Sequence, residues 1–169
     1  KYAALIGESG QHLLTLINDI LDVDKIEAGK YVLARAPLNV GETLDRVLSL
    51  MMPQFREKNV KLTIDIERDL PIVEADARAV RQILFNLLSN AIGISKPEQT
   101  VPLAALRRDD EIIFKVTDQG PGIPREIIER VFDRFPGQSG GLRHRGIGLG
   151  LSIVRSLVEL HGGRVLIDT

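Results

Sequence analysis

The stretch Val80-Arg81-Gln82-Ile83-Leu84-Phe85-Asn86-Leu87-Leu88-Ser89-Asn90-Ala91 sets the reading of the whole chain. Val80, Ile83, Leu84, Leu87, Leu88 and Ala91 recur at three- and four-residue spacing, which predicts a helix with one core face. Gln82, Asn86 and Asn90 are spaced by four and form a polar stripe beside that face. Asp76 is placed to cap this helix, which should run to about Ser95. Such a stripe is either a solvated helix face or one wall of a binding site. Its neighbours in sequence distinguish the two.

Downstream stands Asp118-Gln119-Gly120-Pro121-Gly122-Ile123, after an apolar segment that predicts a strand. A carboxylate at a strand end can accept from the exocyclic amino group of adenine, which selects a base with one side chain. Gly120 and Gly122 let the backbone turn sharply and approach a flat ring that a β-carbon would obstruct. Taken alone, the motif is also a plain strand-to-helix turn. Then comes Gly146-Ile147-Gly148-Leu149-Gly150-Leu151, leading into an apolar helix. Backbone amides at such a helix start form a cradle for phosphates. Magnesium takes hard oxygen ligands and keeps several waters, so one asparagine oxygen plus substrate phosphates suffices for it. The three elements together predict a pocket for a magnesium-bound nucleotide. A dinucleotide fingerprint is rejected, although Asp168 follows Gly148 at a fitting distance: no apolar strand leads into the glycines, and Leu151 or Ile153 takes the place of the third one. No Gly-Lys-Ser or Gly-Lys-Thr occurs, so a Walker-type phosphate loop is absent.

Working outward, residues 1–28 follow one helical pattern. Ile6, Leu13 and Ile20 recur every seven, with Ser9, Leu16 and Val23 between them. Leu14, Ile17 and Leu21 widen the seam, which suits a four-helix bundle with a second helix and a second chain. Gly29 stops this helix. Residues 31–35 predict a short strand. Asn39 and Glu42 form a capping pair for the next helix, whose core face is Val40, Leu44, Val47, Leu48, Met51 and Phe55, with Pro53 expected to kink or shorten it and Asn59 to end it. Val60, Leu62, Ile64 and Ile66 alternate with polar residues, as a half-buried strand requires. Two strands are expected near 100–106 and 111–118, the first at an edge or bulge because of Pro102. Pro124 suits the start of a short helix through Val131, and residues 136–146 predict a loop. A last helix covers 149–160, and Val165–Asp168 begin a strand. The order lacks strict βαβ alternation, so an α+β two-layer sandwich follows, one mixed sheet against three helices. Opening inside a helix and stopping inside a strand, the chain is expected to be a fragment.

Composition bounds the alternatives. A formal charge of −1 gives no electrostatic case for nucleic acid. The absence of cysteine excludes disulfides and thiolate zinc sites. His12, His144 and His161 show no metal-ligand spacing, and no apolar run could span a bilayer. A cytoplasmic location, without membrane contact by this chain, is the expectation.

These motifs resemble, in order, the boxes of the two-component sensor histidine kinases. NLLSNA at 86–91 is similar to the asparagine box, DQGPGI at 118–123 to the first glycine box, VFDRF at 131–135 to the phenylalanine box, and GIGLGLSIV at 146–154 to the second glycine box. Residues 8–30 resemble the second helix of the dimerisation and phosphotransfer hairpin. The resemblance implies a Bergerat-type ATP-binding domain over residues 30–169, its last strand truncated, preceded by an incomplete hairpin helix over 1–29. It implies ATP and magnesium as cofactors, with Asn90 on the metal. Asn86, Asp118, Gly120, Gly122, Ile123, Arg143, Arg145, Gly146, Gly148, Leu149, Gly150 and Leu151 would hold the nucleotide. Residues 136–146 would be a lid anchored by Phe132 and Phe135. It further implies a homodimer through helix 1–28 and a response regulator or other signalling protein as partner.

No catalytic residue is assigned, because the phosphoacceptor is expected upstream. His12 is followed by Leu13 rather than by an acid, and no proline lies in its helix. Two departures stand out. Gly93 and Ile94 replace the lysine and aromatic residue usual after the asparagine box, which removes a cation from the phosphates unless Arg143 or Arg145 supplies one. The stretch RHRGIGLGLSIVRSLVELHGG also resembles a cell-cycle subgroup that includes DivL-type proteins. The alternative to a kinase is therefore a degenerate, dimeric regulatory scaffold. A stand-alone ATPase is a third reading. It is disfavoured because Asn86, which cannot take a proton, replaces the glutamate that its relatives use as base.

Overall fold

The computed structural model describes residues 24–26, 28–132 and 150–169. Residues 24–26 are helical, and Gly29 at φ +64° ends that turn as expected. The rest of the helix expected over 1–28 lies outside the described residues.

Strand β1 (Ala36–Asn39) runs into helix α1 (Val40–Glu57). Asn39 caps it: its side chain accepts from the Glu42 N–H at 3.1 Å, and its Nδ2 donates to Glu42 Oε1 at 3.3 Å. Val40, Leu44, Val47, Leu48, Met51 and Phe55 are buried, as the spacing predicts. Pro53 stands inside the helix without shortening it. The helix ends where Asn59 takes φ +52°; the Val60 N–H then reaches Phe55 O at 2.9 Å and the Asn59 N–H reaches Arg56 O at 3.0 Å, a Schellman stop.

Strand β2 (Lys61–Ile66), strand β3 (Ile72–Ala75) and helix α2 (Ala77–Ile94) follow, then the hairpin of β4 (Thr100–Arg108) and β5 (Glu111–Val116). Two short 3₁₀ turns, Arg125–Ile127 and Glu129–Phe132, precede helix α3 (Gly150–Leu160). The order β2-β4-β5 makes a mixed three-stranded sheet, β2 parallel and β5 antiparallel to β4. Strands β1 and β3 form a separate antiparallel ribbon. One apolar core lies between sheet and helices, centred on Leu44, Met51, Phe55, Leu84, Leu88 and Leu103. A second joins α2 to α3 through Ala79, Ile83, Ile153, Val154 and Leu157. The expected α+β architecture of a mixed sheet against three helices is thus present.

Four local expectations are corrected. The first strand covers 36–39 and not 31–35, because the Ala34 N–H is drawn to Asp76 Oδ2 at 2.9 Å instead of to a neighbouring strand. Strand β4 is central and not an edge, despite Pro102. Its carbonyl accepts from the Thr117 N–H at 2.9 Å, one residue beyond the end of β5, so the donor that proline lacks would have faced the finished end of the ladder. Pro124 caps a 3₁₀ turn rather than opening an α-helix. Residues 165–168 form no strand; Arg164 instead holds Glu111 through two bonds of 3.1 Å.

Candidate nucleotide site

Helix α2 positions the site. Its N-terminus is fixed by Asp76, only 7% exposed, whose Oδ1 accepts from the N–H groups of Arg78 at 2.8 Å and Ala79 at 3.1 Å. Ten residues on, Asn86 faces the start of α3. A β-carbon on Gly150 would stand 3.7 Å from both Asn86 Oδ1 and Asn90 Nδ2. The first turn of α3 therefore rests against the amide stripe. Asn86 Nδ2 is buried and has no hydrogen-bond partner among the described residues, whereas Asn90 is exposed. A buried donor without a partner costs about 1–3 kcal/mol, so this amide is available to an acceptor brought to that face of α2.

The other end of α2 meets the acidic turn. Asp118 is exposed, and its Oδ1 accepts from the Gly120 N–H at 2.7 Å. A β-carbon on Gly120 would lie 2.2 Å from Ile94 Cγ2 and 2.7 Å from Asp118 Oδ1, so only glycine fits. Gly122 takes φ +74°. Gln99 Nε2 reaches Gln119 O at 3.5 Å and ties the loop after α2 to this turn. The stripe and the acidic turn thus lie along one helix, about 12 Å apart from Asn86 to Ile94 at 1.5 Å per residue.

Asn86, Asn90 and Gly150 are brought together, with Asp118 and Gly120 at the far end of the same helix. Ile123 and Leu151 are half-buried. Arg143, Arg145, Gly146, Gly148, Leu149 and Phe135 lie outside the described residues. Phe132 is half-buried, and the Arg155 guanidinium of α3 stands 5.7 Å from its ring centroid. A β-carbon on Gly93 would meet nothing within 4 Å, so the position lacking its usual lysine is open. The sequence reading missed Ile94 as the wedge that forces glycine at 120; an apolar residue at the end of a polar stripe was its only signal. Among the described residues no cluster of three or more His, Cys, Asp or Glu could hold a metal, so an ion here would need ligands from a bound substrate.

An amide stripe, a facing helix start and an acidic glycine turn on one mixed sheet define a nucleotide-binding domain. Residues 75–169 match the family of histidine kinase-, DNA gyrase B- and HSP90-like ATPases. The circadian input-output histidine kinase CikA of Synechococcus elongatus is 39% identical over 173 residues, covering 100% of this chain and 23% of that protein. The structure of full-length ShkA in complex with AMPPNP superposes with a TM-score of 0.80 at 34% identity, over 95% of this chain and 34% of that one. The histidine kinase ThkA in complex with the response regulator TrrA gives 0.72 at 27%, over 96% and 45%. The chain belongs to this ATPase family and, within it, is similar to the catalytic domains of sensor histidine kinases. It spans about a quarter of the length of the curated relative. CikA and ThkA are named as histidine kinases; the likenesses lend no support to the degenerate-scaffold alternative, nor do they single out the DivL-type subgroup.

Proposed function

We propose that residues 30–169 bind ATP with magnesium and present its γ-phosphate to an acceptor side chain on a helix upstream, in the manner of a protein histidine kinase. The observation that carries this reading is the unsatisfied Asn86 amide beside the glycine start of α3. The triphosphate would lie at the Asn86 side of α2 and the adenine at the Asp118 end, where Gly120 lets the turn pack close against Ile94. When bound, magnesium would neutralise phosphate charge, and Asn90 would offer it an amide oxygen. Asn86 can donate to a phosphate oxygen but cannot activate water, so the site favours transfer to a side chain over hydrolysis. Phosphoryl transfer of this kind needs mainly positioning and charge stabilisation, which amides and a helix start supply.

The wider assignments are part of the same proposal. Residues 1–29 act as the second helix of a dimerisation hairpin, the dimer forms through helix 1–28, and a response regulator receives the phosphate. The ThkA–TrrA complex supports that last partner class by analogy. A cytoplasmic location, where ATP is available, completes the reading. The test is direct: titrate ATP into the chain with and without magnesium, then assay labelled phosphate transfer in a longer chain that carries the upstream helix. Magnesium-dependent binding and transfer bear the proposal out. Binding without transfer, or release of free phosphate as the main product, rejects it.

A further inference from the structure

The ends of α2 and α3 furthest from the nucleotide site are joined, and the segment entering the domain is held at the same point. Asp76 spends one oxygen, Oδ1, on the cap of α2. Its other oxygen, Oδ2, accepts from the Ala34 N–H at 2.9 Å, across 42 residues of sequence. The backbone N–H of Asp76 donates to His161 Nε2 at 3.1 Å, across 85 residues. The other ring nitrogen, Nδ1, lies 2.7 Å from Leu157 O, so the ring takes the neutral tautomer that donates from Nδ1 and accepts at Nε2. Beside it, Arg35 Nη2 donates to Leu160 O at 2.9 Å, where a cation suits the negative end of α3. Ile26, Tyr31 and Leu33 pack against the apolar seam of Ala79, Ile83, Ile153, Val154 and Leu157. One residue pair therefore ties three pieces of chain, none adjacent in sequence.

We propose that Asp76 and His161 are positioning residues that clasp the entry segment, residues 31–35, to α2 and α3, so that nucleotide binding and the seating of that segment are linked. Both helices are stiff over the roughly 15 Å between clasp and site. At the site, Gly150 touches the asparagine stripe; at the clasp, His161 touches the cap of the helix bearing that stripe. A tilt of α3 against α2 that opens the phosphate end must strain or break the His161–Asp76 bond, and the Ala34 bond shares its residue. Linkage makes the effect reciprocal: a ligand that favours one helix arrangement also favours a seated entry segment. This inference rests on the nucleotide reading for its coupling, while the clasp itself stands on geometry alone.

The test follows the Ala34 amide by hydrogen exchange in the full chain, with and without AMPPNP and magnesium. Asp76→Asn separates the arms of the clasp. Asparagine caps helices as well as aspartate does, so Oδ1 is retained for Arg78 and Ala79, but its amide group now faces the Ala34 N–H as donor against donor. His161→Ala removes the acceptor for Asp76 N–H, and His161→Gln restores one through its amide oxygen. Without nucleotide, Ala34 should exchange about fivefold faster in Asp76→Asn than in wild type. In wild type, AMPPNP should slow that exchange by about fivefold or more; Asp76→Asn and His161→Ala should lose most of this slowing, and His161→Gln should recover it. A merely structural role would not move the nucleotide-dependent difference. Equal exchange in wild type and Asp76→Asn overturns the clasp. Binding of AMPPNP that leaves Ala34 unaffected overturns the coupling. Failure of wild type to bind AMPPNP removes the functional reading, and the coupling with it, even where the nucleotide-free difference at Ala34 is seen.

Discussion

The two ends of the Asn86–Asp76 span of α2 treat their polar groups in opposite ways. At Asp76 both carboxylate oxygens and the backbone N–H are engaged, by Arg78, Ala79, Ala34 and His161. Three turns on, Asn86 keeps a buried amide with no partner among the described residues, and Asn90 projects into solvent. The same helix thus carries one polar group whose bonds are closed within the fold and another left open. Closed polar groups hold a structure together; an open, buried one beside a glycine helix start costs stability.

Substitutions at the two ends should therefore separate stability from function. The largest effect is expected from Asn90→Ala, which should lower phosphotransfer by about a hundredfold while leaving the melting temperature nearly unchanged, since its side chain is exposed. Parallel activity and melting measurements check this; a large melting loss would break the contrast. Asp76→Ala should do the reverse first. Loss of the cap should cost about 1–2 kcal/mol in urea denaturation, with weaker nucleotide binding only as a consequence. Asn86→Leu sharpens the comparison further, because removing the orphaned donor should raise stability by about 1 kcal/mol and abolish ATP binding at the same time. A variant both less stable and inactive would mean that Asn86 was satisfied after all.

The smallest effect concerns pH. Burial pushes the Asp76 carboxyl up, but the N–H groups of Ala34, Ala79 and Arg78 outweigh it and hold its pKa below the ordinary value. A depressed folded pKa gives stability that is fully present above the unfolded carboxylate value, about 3.9, and lost as pH falls through the folded one. The stability gap between wild type and Asp76→Asn should hold from neutral pH to about 5 and close below about 4. A gap that instead opens in acid would show that the carboxylate is not the stabilising form.

What was legible in the sequence was local. The Asn39 and Asp76 caps, the core faces of α1 and α2, the Asn59 stop and the glycine at 120 each announce themselves within a few residues. The stripe could be placed beside the start of α3 because both motifs carry their own chemistry. What was not legible depends on partners far along the chain. Residues 31–35 alternate like a strand, yet the Ala34 N–H is taken by a carboxylate 42 residues away. His161 gave no signal beyond its lack of metal spacing, since its role needs the end of α3 laid against the cap of α2. Strand β3 has four residues between a turn and a cap, too few for periodicity to register. Pro102 misled because the rule against proline inside a sheet concerns a donor facing a partner, and here the partner strand had already ended.

The parallel pairing of β2 with β4 sets an order of assembly. Strands β4 and β5 are joined by a tight turn and can close early, whereas Lys61 meets Thr100 only after β3 and the whole of α2 have been threaded between them. Long-range closure of that kind is slow, so the hairpin and α2 should form the nucleus and β2 should dock late. Weakening β2 at Leu62 should then speed unfolding with little change in the folding rate, while weakening β5 at Ile112 should slow folding, a difference stopped-flow kinetics would resolve.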